Sequence, residues 1–156
     1  MKTKNIIQIS AAVILIAMLF FSNQSTTDLP EKYNWINIDN YNDAFRKTKS
    51  DKKPLIMYFH VDWCKYCKKL NETFLNNEDV YKYISNFEMV QINPEHGDKQ
   101  KRLANKYGVK GYPTFLVTYP HNNKKIKIHP FRKGGIVWTI DKFIKKIKHA
   151  IGSVKK

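Results

Sequence analysis

A mixed α/β fold, with one central sheet and helices on both of its faces, is what this sequence predicts. Three observations carry that reading. Leu55 to Val61 (LIMYFHV) is a continuous apolar run of β-forming residues, the pattern of a central strand buried on both faces. Phe87 to Ile92 (FEMVQI) repeats the pattern. Thr114 to Tyr119 and Lys125 to Phe131 flank His121-Asn122-Asn123-Lys124, which is a hairpin signal. The segments between have helical spacing. A right-handed β-α-β unit followed by an antiparallel hairpin then gives a mixed sheet.

The elements follow in chain order. Residues 26–34 are polar and read as a linker. Trp35 to Ile38 is a short strand. Asp39 or Asn40 caps a helix running to about Ser50, with Tyr41, Ala44 and Phe45 on one face. Pro54 disfavours helix just before itself and ends that segment. After the strand Leu55 to Val61, Cys64 to about Leu75 is helical, with Cys67, Leu70, Phe74 and Leu75 on one stripe; Glu78 to Ile84 continues it. Lys99 to Tyr107 is a helix with Gly108 as its stop. In the last strand Ile126 and Ile128 alternate with lysines, so one face is wet. Gly134-Gly135 is a hinge-like turn, and Trp138 to Ile151 is an amphipathic helix with Phe143, Ile147 and Ile151 at spacings of four. Residues 35–152 form the domain, and 153–156 a basic tail.

Hydrophobic residues are 42% and aromatics 13%, which argues against disorder. A domain of about 100–130 residues can bury a core without a metal or structural disulfides. The net charge of +15 favours acidic partners, anionic lipid or nucleic acid. The lysines are scattered, however, and no zinc-finger, RNP or basic-zipper pattern is present, so a solvated basic surface is preferred and no nucleic-acid partner is expected.

Residues 1–25 read MKTKNIIQISAAVILIAMLFFSNQS. Lys2 and Lys4 precede an apolar run from Ile6 to Phe21 broken only by Gln8 and Ser10. This is a signal-peptide core or a short membrane anchor; a buried globular helix would be amphipathic instead. Ser22-Asn23-Gln24-Ser25 offers no small-residue pair for a signal peptidase, which tilts the choice toward an uncleaved anchor. No cysteine follows the run, so a lipid-modified cysteine is excluded. In either case the positive end stays in the cytoplasm and residues 26–156 are exported, into a compartment that permits disulfides.

The only two cysteines, Cys64 and Cys67, are three apart. A bridge so short closes almost no loop and adds little stability, and two cysteines cannot build a four-cysteine zinc site. The pair is therefore read as chemical. Directly after a buried strand, Cys64 sits at a helix start, among unpaired N–H groups and the positive end of the helix dipole. A thiolate is favoured there, below the free value of about 8.5. Cys67, one turn on, reaches Cys64 from a deeper position. Cys64 is then the attacking sulfur and Cys67 resolves the mixed disulfide. Lys65 and Lys68 add positive charge nearby. The competing reading, inert buried thiols or half a metal site, is weakened by Trp63 before the pair and Gly-Tyr-Pro-Thr after it.

With these pieces in order, the chain from about Trp35 to Ile151 resembles the thioredoxin superfamily. The matching segments are KPLIMYFHVDWCKYCK, VQIN and LANKYGVKGYPTFLV. In detail it looks closest to exported thioredoxin-like domains of the DsbD C-terminal type, through Asp62 to Lys68, Thr73-Phe74 and Glu78-Asp79. The resemblance implies a thioredoxin fold and an extracytoplasmic thiol-disulfide oxidoreductase. Its partners would be exported proteins with thiols or disulfides and a membrane thiol reductant donor. It implies no cofactor beyond the Cys64–Cys67 disulfide, and no metal. It implies that Pro113 is a cis-proline facing the sulfurs, that the Tyr112 backbone pairs with an incoming peptide and that Trp63 shields the site. The alternative on the same fold is a non-catalytic chaperone or assembly factor, for example in cytochrome maturation.

Two departures from the family pattern matter. Many thioredoxins carry a buried acid six residues before the first cysteine, and here that position is Tyr58, read as core. His60, Asp62, Asn71 and Glu72 are near in sequence, but none matches that position. The pair Lys65-Tyr66 differs from the Gly-Pro of common thioredoxins, which leaves the redox potential open. His60 is read as a structural histidine, with tuning of Cys64 as the sharper alternative. His96, His121, His129 and His149 are dispersed and read as surface.

Overall fold

The computed structural model describes residues 34–135 and 137–155. Residues 1–25 and 26–33, with the apolar run and most of the linker, lie outside the described residues. Five strands form one sheet: β1 (Trp35–Ile36), β2 (Leu55–Phe59), β3 (Glu88–Ile92), β4 (Thr114–Tyr119) and β5 (Lys124–Ile128). Their spatial order is β1-β3-β2-β4-β5. β1 and β2 both pair with β3 in parallel, while β4 is antiparallel to β2 and to β5. This is the mixed sheet that the sequence predicts.

β2 lies in the middle with every residue buried, which is why its sequence is apolar throughout. Its side chains alternate between two cores. Ile56 and Tyr58 join Phe115 and Val117 of β4 on one face, and Leu55, Met57 and Phe59 join Val90 and Ile92 on the other. The second face is covered by α1 (Tyr41–Ser50) through Tyr41 and Ala44, and by α4 (Asp98–Lys106) through Leu103 and Ala104. The first is covered by α2 (Lys65–Leu70), α3 (Glu78–Ile84) and α5 (Ile140–Lys155), through residues that include Leu70, Val80, Phe143 and Ile147.

Several boundaries differ from the sequence reading, each for a local reason. β1 stops at Ile36 because Asn37 turns the chain: its Oδ1 accepts the Asp39 N–H at 3.0 Å and opens a 3-10 turn over Ile38–Asn40. The cysteine helix is not regular to Leu75. Asn71–Leu75 is a π-helical turn, and α3 is separate, begun by Asn77, whose Oδ1 accepts the N–H groups of Asp79 and Val80. β5 ends at Ile128, two residues before Pro130, which has no N–H for a ladder; Phe131 forms only an isolated bridge to Val137. α5 begins at Ile140 instead of Trp138, with the Thr139 carbonyl accepting the Phe143 N–H at 3.0 Å. It runs to Lys155, so residues 153–155 continue the helix.

Candidate functional site

The cysteines sit where the buried central strand gives way to α2. Val61, itself buried, accepts the Cys64 N–H at 3.1 Å through its carbonyl and closes the turn over Asp62-Trp63. Cys64 is the N-cap of α2 in extended conformation, and its Sγ accepts the Cys67 N–H at 3.1 Å. A helix-terminal donor therefore points at that sulfur, where negative charge on a thiolate would be held. Cys64 and Cys67 are joined as a disulfide, with Cα atoms 5.2 Å apart. Both cysteines are buried, Cys64 at 4% exposed and Cys67 at 1%.

The other half of the site comes from β4. Thr114 pairs with Phe59 in the β2–β4 register, which carries the preceding Tyr112-Pro113 to the end of the sheet where the cysteines lie. The Tyr112–Pro113 peptide is cis. The Thr114 hydroxyl donates to the Gly111 carbonyl at 2.7 Å and ties the loop down. Tyr66, between the cysteines, lines one groove with Tyr112, Pro113 and Phe131. Its ring stands 5.5 Å from that of Phe131 and lies close against Gly135.

Trp63 and Tyr66 are the exposed large hydrophobic residues among the described ones, at 71% and 48%, and both adjoin a cysteine. Trp63 donates its indole N–H to Glu95 at 2.9 Å. Lys65 and Lys68 are exposed on α2, one beside each cysteine.

Under the site, Tyr58 is fully buried and donates its hydroxyl to Asn71 Oδ1 at 3.1 Å. Burial pushes the Tyr58 phenol well above its usual range, so the pair is neutral where many thioredoxins carry an acid. Asn71 does not match the acid's position in sequence. It lies four residues after Cys67, on the same helix face, but its contact with Tyr58 spans thirteen positions. His60 is buried and stacks on Tyr58 with centroids 5.2 Å apart. Burial lowers its pKa, Asp62 opposes that shift, and His96 adds to it. His60 is therefore held neutral by the core.

One cluster was missed. His96 is exposed, as expected, but its Nε2 lies 2.9 Å from Asp62 Oδ2, and the Asn93 side-chain amide donates to Asp62 Oδ1 at 3.0 Å. The Asn93 Oδ1 in turn accepts the Glu95 N–H at 3.0 Å. This network fixes the loop that supplies Glu95 to Trp63. Nothing in residue spacing joins Asp62 to residues 93–96; the parallel pairing of β2 with β3 does.

Residues 34–120 match the family described as thioredoxin-like. The chain belongs to that family. The thiol:disulfide interchange protein DsbD of Campylobacter jejuni is 25% identical over 114 residues, which is 72% of this chain and 20% of that protein. The chain thus spans about a fifth of the length of that relative. Among solved structures, the DsbH oxidoreductase superposes with a TM-score of 0.63 at 22% identity, covering 80% of this chain and 88% of that one. The C-terminal domain of Neisseria meningitidis DsbD in its oxidised form gives 0.59 at 22% identity, covering 74% and 97%. The structural likenesses establish the thioredoxin fold that the sequence predicts. Within that fold the chain carries a Cys-x-x-Cys pair, Cys64 and Cys67, joined as a disulfide.

Proposed function

We propose that this protein is an extracytoplasmic thiol-disulfide oxidoreductase that reduces or isomerises disulfides in exported proteins. The observation that carries the reading is the Cys64–Cys67 pair at the start of α2, with a backbone N–H on the Cys64 sulfur. In the reduced protein the Cys64 thiolate attacks one sulfur of a client disulfide. The client S–S bond breaks and a mixed disulfide forms. Cys67 then gives up its proton and attacks the Cys64 sulfur, releasing the second client thiol. Two electrons pass to the client; the Cys67 proton ends on one client sulfur, and the other leaves as a thiolate that takes its proton from solvent.

Trp63, Tyr112 and Pro113 are assigned to client binding, and Lys65, Tyr66 and His60 to tuning of the cysteine pair. The reducing direction rests on the likeness to DsbD, and the resting disulfide would be reopened by a membrane thiol reductant. Export rests on Lys2 and Lys4 ahead of the apolar run. That run also supports an anchor in the membrane.

Insulin reduction driven by a small thiol tests the activity, and a protein without effect on the rate would refute it. A reduction potential of about −270 mV is expected for a reductant, and one of about −120 mV would reverse the proposed direction. For export, a reporter active only in oxidising compartments, fused after Lys156, should be active; activity of a cytoplasm-only reporter would refute it.

A further inference from the structure

The rim of the cysteine site around Tyr66 is mainly basic, while a carboxylate, Glu95, stands on its Trp63 side. On one side of Tyr66 and Gly135 lies a groove of about 210 Å³, lined by Tyr112, Pro113, Phe131 and Arg132 among others. On the other side lies a groove lined by Lys65, Lys68 and Lys69. Glu72 is the carboxylate that lines either groove among the described residues. None of Lys65, Lys68, Lys69 and Arg132 lies within ion-pair distance of a carboxylate among the described residues.

Two of these cations are held in place. The Arg132 guanidinium stacks 4.6 Å from the Trp138 ring, and Lys69 Nζ donates to the Gly135 carbonyl at 3.3 Å. Between the grooves stands the exposed ring of Tyr66, which lines both; Trp63, also exposed, lines neither. An apolar centre that offers stacking area, rimmed by unpaired cations, is complementary to a chain segment of opposite charge.

We propose that this rim selects client segments in which the reacting cysteine is flanked by Asp or Glu and by an apolar residue. The inference rests on the oxidoreductase reading and names its substrate class. The apolar residue lies against Tyr66 and Phe131, and the acidic residues meet Arg132 on one side and Lys65 and Lys68 on the other. Steering of this kind acts on encounter, so it weakens as salt shortens the screening length.

The test uses the full-length reduced protein and two matched peptide disulfides, one with Asp and one with Lys beside the cysteine. A neutral small disulfide, hydroxyethyl disulfide, reports the thiol chemistry alone. At low salt the Asp peptide should be reduced at least about tenfold faster than the Lys peptide. The ratio should shrink in high salt and fall to about one or below in an Arg132→Glu/Lys68→Glu variant. The ratio is the proper readout, because both peptides meet the same thiolate and any change in its reactivity cancels.

Equal rates for the two peptides, with the neutral disulfide still reduced, would overturn the inference and leave the oxidoreductase reading standing. Failure to reduce any of the three would bring down both. Equal peptide rates together with Arg132-dependent sedimentation on anionic phospholipid vesicles would assign the basic rim to the membrane instead, and would also overturn it.

Discussion

Replacing Phe143 with alanine should unlock both halves of the cysteine site at once. Phe143 of α5 is fully buried. Its ring stacks on Phe74, centroids 4.3 Å apart, in the π-turn that continues the cysteine helix. It also meets Phe115 edge-on at 5.9 Å, on the strand that follows Tyr112-Pro113. Truncation removes a large apolar side chain and leaves a cavity, at about 3–5 kcal/mol for a fully enclosed site. The two ring contacts place Phe143→Ala in the upper half of that range, since each adds about 0.5–1.5 kcal/mol beyond buried area. Small domains are stable by about 5–15 kcal/mol, so the variant should fold but with a much reduced margin. Phe143→Leu keeps most of the volume and loses the ring geometry, so it should lose about 1–1.5 kcal/mol. Urea unfolding of the oxidised protein checks both, with the midpoint falling and the slope unchanged. A loss below about 1 kcal/mol for Phe143→Ala would refute the view that α5 clamps the two halves together.

Other substitutions separate the remaining roles. His60 is held neutral by burial, so its folded pKa lies below its unfolded one. The unfolded chain takes up a proton first as pH falls, and stability should therefore decline from about pH 6.5 down through the lowered folded pKa. His60→Gln should flatten that slope in denaturant titrations, and an unchanged slope would contradict the assignment. Gly134 and Gly135 have φ of +81° and +76°, so alanine at either should lose about 1–2 kcal/mol. Only at Gly135 would the added Cβ meet Tyr66, at 2.8 Å, so only Gly135→Ala should alter peptide reduction. Equal effects on reduction would contradict that. Trp63→Ala should change stability by no more than about 0.5 kcal/mol yet slow insulin reduction several-fold; a large stability loss with unchanged reduction would mean that Trp63 is structural.

Most of the fold was legible in the sequence because its strands and helices declare themselves locally. Leu55 to Phe59 is apolar at every position because both faces of β2 are covered, and the alternation of Ile126 and Ile128 with lysines marks an edge strand. The cysteine pair was legible for the same reason: a buried strand, a helix start and Cys-x-x-Cys stand within one short segment. What was not legible depends on partners far along the chain. The π-turn at Asn71–Leu75 places Asn71 against Tyr58, thirteen positions away. A regular helix fits the same apolar residues, so periodicity alone does not reveal it. The Asp62–His96 contact spans 34 positions and follows from strand pairing. β5 ends before Pro130, which has no N–H for the ladder, while the alternation Ile126, Ile128, Pro130 runs past that end and hides it.

The central claim is that Cys64 attacks and Cys67 resolves. The most direct measurement is mixed-disulfide trapping in Cys67→Ser and Cys64→Ser variants of the full chain, with alkylation of the reduced protein at neutral pH alongside. Cys64, at the helix start with the Cys67 N–H 3.1 Å from its sulfur, should be alkylated first. Cys67→Ser should then accumulate disulfide-linked clients, and Cys64→Ser should accumulate none. Equal trapping by the two variants, or prior alkylation of Cys67, would contradict the assignment.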